Sequence, residues 1–239
     1  MHSRSVEDYL KAIYELVCEG DESWAPTMAL AQALQLAPAS VTAMLKKLSA
    51  MDPPLVLHEL YHGVQLTDEG KKVALEVVRH HRLLESFLSA SLGYSWDEVH
   101  EEAHRLEHVI SEEMEERIAR YLGQPARDPH GSPIPRRDGV VEVLDDIRLT
   151  DLPPGQPAQI QRVMDHDAAL LRYLSELGLI LGARVEVAER APFQGPHHVR
   201  LLGTSVVHAM GNGVTDHVFV VPTDDALPDE MTSLDGGRA

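Results

Sequence analysis

The stretch APTMALAQALQLAPASVTAMLKKLSAM, residues 25–51, constrains the fold more than any other part of the chain. It reads as two short helices parted by a turn around Leu36 to Pro38, with Pro38 in a first helical turn, where a missing N–H costs nothing. In the second helix Val41, Leu45 and Leu48 recur at spacings of 4 and 3 and face inward, leaving Ala39, Ser40, Thr42, Ala43, Lys46 and Lys47 outward. Upstream, Val6, Tyr9, Leu10, Ile13, Tyr14 and Val17 lie at helical spacing until Gly20 stops the segment. Downstream, PLVLHEL and GVQLT alternate around the polar tip YHG, as the two strands of a hairpin do. Helix, helix-turn-helix, hairpin is the order of a winged helix-turn-helix. Ala39, Ser40 and Thr42 are small enough to approach base edges in a major groove, while Lys46 and Lys47 reach phosphates.

Charge limits how such a module works. The chain of 239 residues has a formal net charge of -17, the wrong sign for a protein that coats nucleic acid or anionic membrane indiscriminately. Residues 1–75 alone contain 6 Lys or Arg against 10 Asp or Glu, so DNA binding must rest on a few placed cations. The length suits two or three domains of about 100 residues. The single cysteine, Cys18, excludes an intramolecular disulfide and a Cys-rich zinc module. With no apolar run of about 18 residues and no secretory pattern at the start, the expectation is a cytoplasmic chain with no membrane partner.

Residues 69–122 carry a second kind of chemistry. DEGKKVALEVVRHHRLLESFLSASLG predicts one helix with Val73, Val77, Leu84 and Leu88 as its stripe, into which His81 falls, with Glu85 one turn on. A single following helix is expected to place Val99, Ala103, Leu106, Ile110, Ile118 and Leu122 along its stripe, flanked by His100, His104, Glu107 and His108. A lone histidine on an apolar face is usually a satisfied core residue. Four histidines and two glutamates on two consecutive helices favour a metal over that alternative. HEEAH at 100–104 also matches the His-Glu-x-x-His signature of zinc proteases, with Glu101 as general base. That signature's extension needs glycine and a third histidine, where this chain has Glu107 and Ile110, so the protease is the minor reading.

SVEDYLKAIYEL, PASVTAMLKKL, HHRLLESFL, VHEEAHRLEHVISEEMEERI and DPHGSPIP, in that order over residues 3–136, resemble the diphtheria-toxin-repressor family of metal-dependent transcriptional regulators. The resemblance implies a mainly α chain with small β elements, working as a homodimer on palindromic double-stranded operator DNA. It implies a winged helix-turn-helix at 1–72, a helical dimerisation and metal-binding domain at 73–140, an SH3-like β-barrel at 141–222 and a flexible tail at 223–239. It also implies two adjacent metal positions, one from His81, Glu85 and His100, the other from Asp8, His104, Glu107 and His108. Asp8 is the manganese-type choice. His104 stands where the family has cysteine or glutamate, and Lys11 where short manganese regulators have an acid. Three carboxylates and four imidazoles without a thiolate suit Mn2+, with Fe2+ as the alternative and Zn2+ or Co2+ able to substitute in vitro.

From about residue 141 the pattern shifts to short β-like runs, VVEVLDDIRL, AQIQRVM, ARVEVAER, HVRLLG and HVFVVP, with one helix between strands. LGLILGARVEV resembles the ferrous-transport-A-type domain of longer family members, in which this region lends an acid to the first metal site. Asp165 and Asp167 are the candidates. In the expected mechanism, unliganded acids repel one another and a cation, by joining Asp8 to the middle of the chain, fixes two recognition helices about 34 Å apart.

Overall fold

The computed structural model describes residues 2–18, 23–164 and 167–223. Gly20, Asp165 and the tail from residue 224, each given a role above, lie outside the described residues. Two compact units are present, Met1–Val143 and Leu144–Ala239. The chain is mainly helical, with a small amino-terminal hairpin and a six-stranded carboxy-terminal sheet.

In the first unit α1 (Arg4–Cys18) buries Val6, Tyr9, Leu10, Ile13 and Tyr14. α2 (Thr27–Ala33) ends with Gln35 at φ 54, and the Leu36 N–H returns to the Ala31 carbonyl at 2.9 Å, a left-handed cap made without glycine. The chain then enters α3 (Pro38–Ser49) after a bend of 109°, within the range of a helix-turn-helix. Val41, Leu45 and Leu48 are fully buried, so truncating Leu45 to alanine costs about 2–5 kcal/mol.

The wing is β1 (Val56–Glu59) against β2 (Gly63–Leu66), antiparallel, with Glu59 opposite Gly63. Gly63 sits at φ +120, and a Cβ there would lie 2.4 Å from the Ala25 carbonyl oxygen, which explains the glycine. Tyr61, at the tip, is fully exposed.

α4 (Asp68–Leu92) is capped by Thr67, whose hydroxyl accepts from the Gly70 N–H, and it stops at Gly93 in the left-handed region. Its first half packs Ala74, Leu75 and Val78 into the core shared with α1 and α3. Its second half packs Leu83, Leu84 and Leu88 into another core with Val99, Ala103, Ile118, Ala119 and Ile134. The domain boundary expected at 72/73 therefore falls inside a helix that serves both cores.

The single helix expected over 99–122 is two helices, α5 (Val99–Leu106) and α6 (Glu112–Tyr121). Ser111 explains the break: its hydroxyl accepts from the Met114 N–H and starts α6 anew. The intervening turn carries Glu107 and His108 off the helical flank on which the spacing placed them.

In the second unit, strands β3 (Ile147–Arg148), β4 (Pro157–Val163), β5 (Arg184–Arg190), β6 (His197–Leu201), β7 (Val207–Met210) and β8 (Val218–Pro222) pair antiparallel in the order β3-β8-β4-β5-β6-β7. Alternation buries Ala158, Ile160, Val185, Val187 and Val199, and α7 (Ala168–Glu176) adds Leu171 and Leu174. Bulges at Ile160/Arg162 and Val187/Glu189 bend the sheet in the manner of a small barrel. Of the run VVEVLDDIRL only Ile147 and Arg148 are strand, because Val140 and Val143 are exposed and have no sheet to join. β7 and the short α8 (Asn212–Thr215) were not legible as periodic runs.

Candidate metal centre

The middle of α4 is a belt of buried polar residues between two apolar cores: Arg79, His80, His81, Arg82 and Glu85 are all buried. Burying such groups is costly unless each finds partners. Arg79 pairs with Glu115 and donates Nη1–H to the Pro135 carbonyl at 2.7 Å. Arg82 donates to the Pro133 carbonyl at 2.7 Å and lies 3.5 Å from Asp128. These arginines fix the DPHGSPIP turn against α4.

His81 stands between two ligand groups. Its Nε2 is 2.9 Å from Glu85 Oε1 and 3.1 Å from His100 Nδ1, and His100 Nδ1 is 3.3 Å from the same Glu85 oxygen. Its Nδ1 is 2.5 Å from Glu107 Oε2. Around Glu107 lies the second group. His104 Nδ1 is 2.8 Å from Glu107 Oε1, and His108 Nε2 is 3.3 Å from that oxygen and 2.7 Å from Asp8 Oδ1. One ligand atom from each of Asp8, His104, Glu107 and His108 lies within 4.8 Å of the others, as does one from each of His81, Glu85 and His100. The structure thus brings together all seven residues of the two sets named from the sequence.

The electrostatics differ from the expected mutual repulsion of acids. Lys11, 7% exposed, places its ammonium 2.8 Å from Glu107 Oε2. His108 contacts Glu7 Oε2 at 2.7 Å as well as Asp8. Burial works against a charge on His108, yet hydrogen bonds to Asp8, Glu107 and Glu7 push its pKa up to about 10. Burial also opposes ionisation of Glu107, but hydrogen bonds from His104, His108 and His81 and the Lys11 ammonium hold its carboxyl far below the ordinary range. The carboxylates are therefore already met by built-in cations, and an incoming metal competes with them.

Sequence reasoning missed a further group beside the first. Glu85, Asp128 and His130 also bring ligand atoms within 4.8 Å, all three residues being buried. Asp128 Oδ1 accepts the His130 and Ser132 N–H groups at 2.8 and 3.0 Å, fixing the turn. His130 donates Nε2–H to the Trp96 carbonyl at 2.6 Å, which in a neutral ring leaves Nδ1, 3.6 Å from Glu85 Oε2, as the nitrogen able to coordinate. The available signal was an acid and an imidazole two residues apart in a Pro-rich turn.

Other sequence candidates fall differently. His100 and His104 join separate groups, and Glu101 is exposed beside Arg105 at 3.5 Å, so HEEAH does not assemble as a protease site. Asp167 caps α7, accepting from the Ala169 and Leu170 N–H groups. On α3, Ala39, Ser40, Lys46 and Lys47 are exposed, while the Thr42 hydroxyl donates to the Pro38 carbonyl at 2.9 Å and keeps its acceptor lone pairs.

A reading head joined through one helix to imidazole and carboxylate groups that also gather a residue of α1 defines a metal-dependent DNA-binding transcriptional regulator. The chain belongs to the iron-dependent repressor family that includes the diphtheria toxin repressor. Residues 1–64 match its amino-terminal DNA-binding domain, 67–136 its metal-binding and dimerisation domain, and 147–222 the FeoA domain, an SH3-like module. The iron-dependent repressor IdeR of Mycobacterium tuberculosis is 34% identical over 199 residues, covering 77% of this chain and 83% of that protein. The diphtheria toxin repressor of Corynebacterium diphtheriae is 30% identical over 197 residues, covering 78% and 85%. Among solved structures, a manganese-dependent transcriptional repressor in complex with manganese has a TM-score of 0.84 at 36% identity, over 91% of this chain and 100% of that one. The manganese regulator SloR gives 0.77 at 30% identity, over 91% and 98%.

Proposed function

We propose that this repressor responds to manganese, with ferrous iron as the second reading, and that it binds a palindromic operator as a homodimer. Asp8, His104, Glu107 and His108 serve as the regulatory site, and His81, Glu85 and His100, extended by Asp128 and His130, as the second. Residues 1–72 read DNA, 73–140 dimerise and hold metal, and 141–222 form the accessory SH3-like domain, in a cytoplasmic protein without enzymatic activity. Ala39, Ser40 and Thr42 meet bases, and Lys46 and Lys47 meet phosphates. Exposed Leu92, Tyr94, Val109, Met114 and Tyr121 in the helical region support a subunit interface there.

The observation that carries this reading is the 2.7 Å contact between Asp8 and His108, 100 residues apart. A divalent cation there exchanges an ion pair for coordination by four side chains, holding α1 and the α5–α6 turn in one arrangement. Preference for the DNA-competent arrangement by about 1.4 kcal/mol shifts its population tenfold. Manganese is favoured by the oxygen and imidazole donors and by the manganese-dependent structural relatives. Ferrous iron is favoured by the iron-dependent relatives. A gel shift with the gene's own upstream region tests it: a shift produced by Mn2+ at lower concentration than Fe2+ supports manganese, the reverse order supports iron, and binding indifferent to metal overturns both.

A further inference from the structure

Outside the sets above, Glu76 and His80 of α4 and Glu112 at the start of α6 bring one ligand atom each within 4.8 Å of the others. Glu76 and His80 are four residues apart and project from one face of α4. Glu112 arrives there because Ser111 restarts the helix. His80 is only 6% exposed. Its Nδ1 lies 3.1 Å from the backbone carbonyl oxygen of Glu107, which can only accept, so Nδ1 carries the proton. In a neutral ring, Nε2 then presents its lone pair to the cluster.

That Nε2 is buried and makes no hydrogen bond among the described residues. Glu115 Oε2 lies 3.2 Å from it and Glu112 Oε1 3.8 Å, so the lone pair faces carboxylate oxygens. With a neutral ring such an arrangement is repulsive and calls for a positive charge in its centre. A proton on Nε2, opposed by burial but favoured by Glu115 and Glu76, which raise the His80 pKa, and a divalent cation compete for that place. Neighbouring cations are already engaged: Arg79 takes the other oxygen of Glu115, and Arg137 faces Glu112 Oε2 at 3.6 Å. Glu112 Oε1 and the Glu76 carboxylate remain turned toward His80. Partial burial and the charge of Glu112 raise the Glu76 carboxyl above its ordinary range, as expected of acids held together.

We propose that Glu76, His80 and Glu112 form an additional divalent-cation site, separate from the two groups around His81. One imidazole and two carboxylates suit a hard to borderline ion such as Mn2+, Fe2+ or Zn2+. Glu76 and Glu112 are exposed, so water completes the shell and the site fills at higher metal concentration than the buried groups. A cation here clamps α4 to the start of α6. It also steadies Glu107 through the His80 ring, because that ring holds the Glu107 carbonyl. The assignment does not depend on which metal regulates DNA binding.

Equilibrium dialysis of the full chain against Mn2+, with bound metal counted by plasma emission, tests it. The exposed, isosteric pair Glu76→Gln and Glu112→Gln should bind one ion fewer per chain at saturation and lose the weakest binding step. Metal-dependent operator binding at low Mn2+ should be unchanged in this variant. Asp8→Ala should keep the weak ion, so failure here and failure of the regulatory assignment read differently. Equal stoichiometry in the double variant and the parent at every Mn2+ concentration overturns the site and leaves a protonated His80 ion pair in its place. A crystal of the parent grown in Mn2+, with anomalous density at His80 Nε2, is the positive counterpart.

Discussion

The two ligand groups that share His81 as a neighbour are built from different distances along the chain. His81, Glu85 and His100 span 19 residues, all on α4 and α5, and Glu85 is fully buried. Asp8, His104, Glu107 and His108 span 100 residues and join α1 to the turn between α5 and α6, with Lys11 and Glu7 as additional partners. A cation in the first group fastens helices that already pack in one core. A cation in the second fastens helices whose main packing lies in separate cores. Of the two arrangements, the second would give a bound metal a direct hold on the DNA-binding module, so the two groups should respond very differently to substitution.

The largest expected effect is at the long-range group. Asp8→Ala or His108→Ala should lower metal affinity on the order of 100-fold and abolish metal-stimulated operator binding, with circular dichroism unchanged. Persistence of stimulation in a gel shift breaks the comparison. Glu85→Ala should act chiefly on stability, by about 3 kcal/mol, since it removes one partner from a buried polar cluster. Denaturant midpoints that fall by less than those of Asp8→Ala would erase the distinction.

Acidity sharpens the contrast. With its pKa raised to about 10, well above the unfolded value near 6.5, His108 contributes stability fully below about pH 6.5 and loses it as pH rises through about 10. Metal needs the neutral ring. Mn2+ affinity should therefore climb between those limits, by up to about tenfold per pH unit for each proton released, as followed by calorimetry in buffers of differing ionisation enthalpy. A flat profile removes His108 from the ligands.

Smaller effects come from the flanks. Lys11→Met takes away the cation that competes for Glu107, so it should tighten Mn2+ binding several-fold while lowering stability without metal. Lys46→Ala should weaken binding to all duplexes alike and reduce the salt dependence by about one unit of slope. A change in sequence preference instead would move Lys46 from phosphate to base contact.

Much of this was readable in the sequence because it is local. The helix-turn-helix follows from the spacing of Val41, Leu45 and Leu48 and from Pro38, and the structure buries those three residues with Pro38 in the first turn of α3. The histidines announce themselves by number. What was not readable depended on capping and on contacts between distant segments. Periodicity continues across Ile110, so it does not reveal the Ser111 cap or the turn that cap creates. Asp128 and His130 looked like ordinary turn residues until the turn was laid against Glu85. Lys11 read as a departure from a pattern, whereas it is the ammonium seated on Glu107.

By itself, the sequence determined seven of the side chains that could coordinate a cation, which helix could read DNA, and the order of modules, since residue chemistry and short-range spacing suffice for those. The tertiary structure alone decided that Asp8 meets His108, that Glu107 lies between Lys11 and three imidazoles, and that His80 turns toward Glu76 and Glu112. The reason is physical: such contacts are set by how α1, α4 and the α5–α6 turn pack, and packing depends on the joint fit of segments up to about a hundred residues apart.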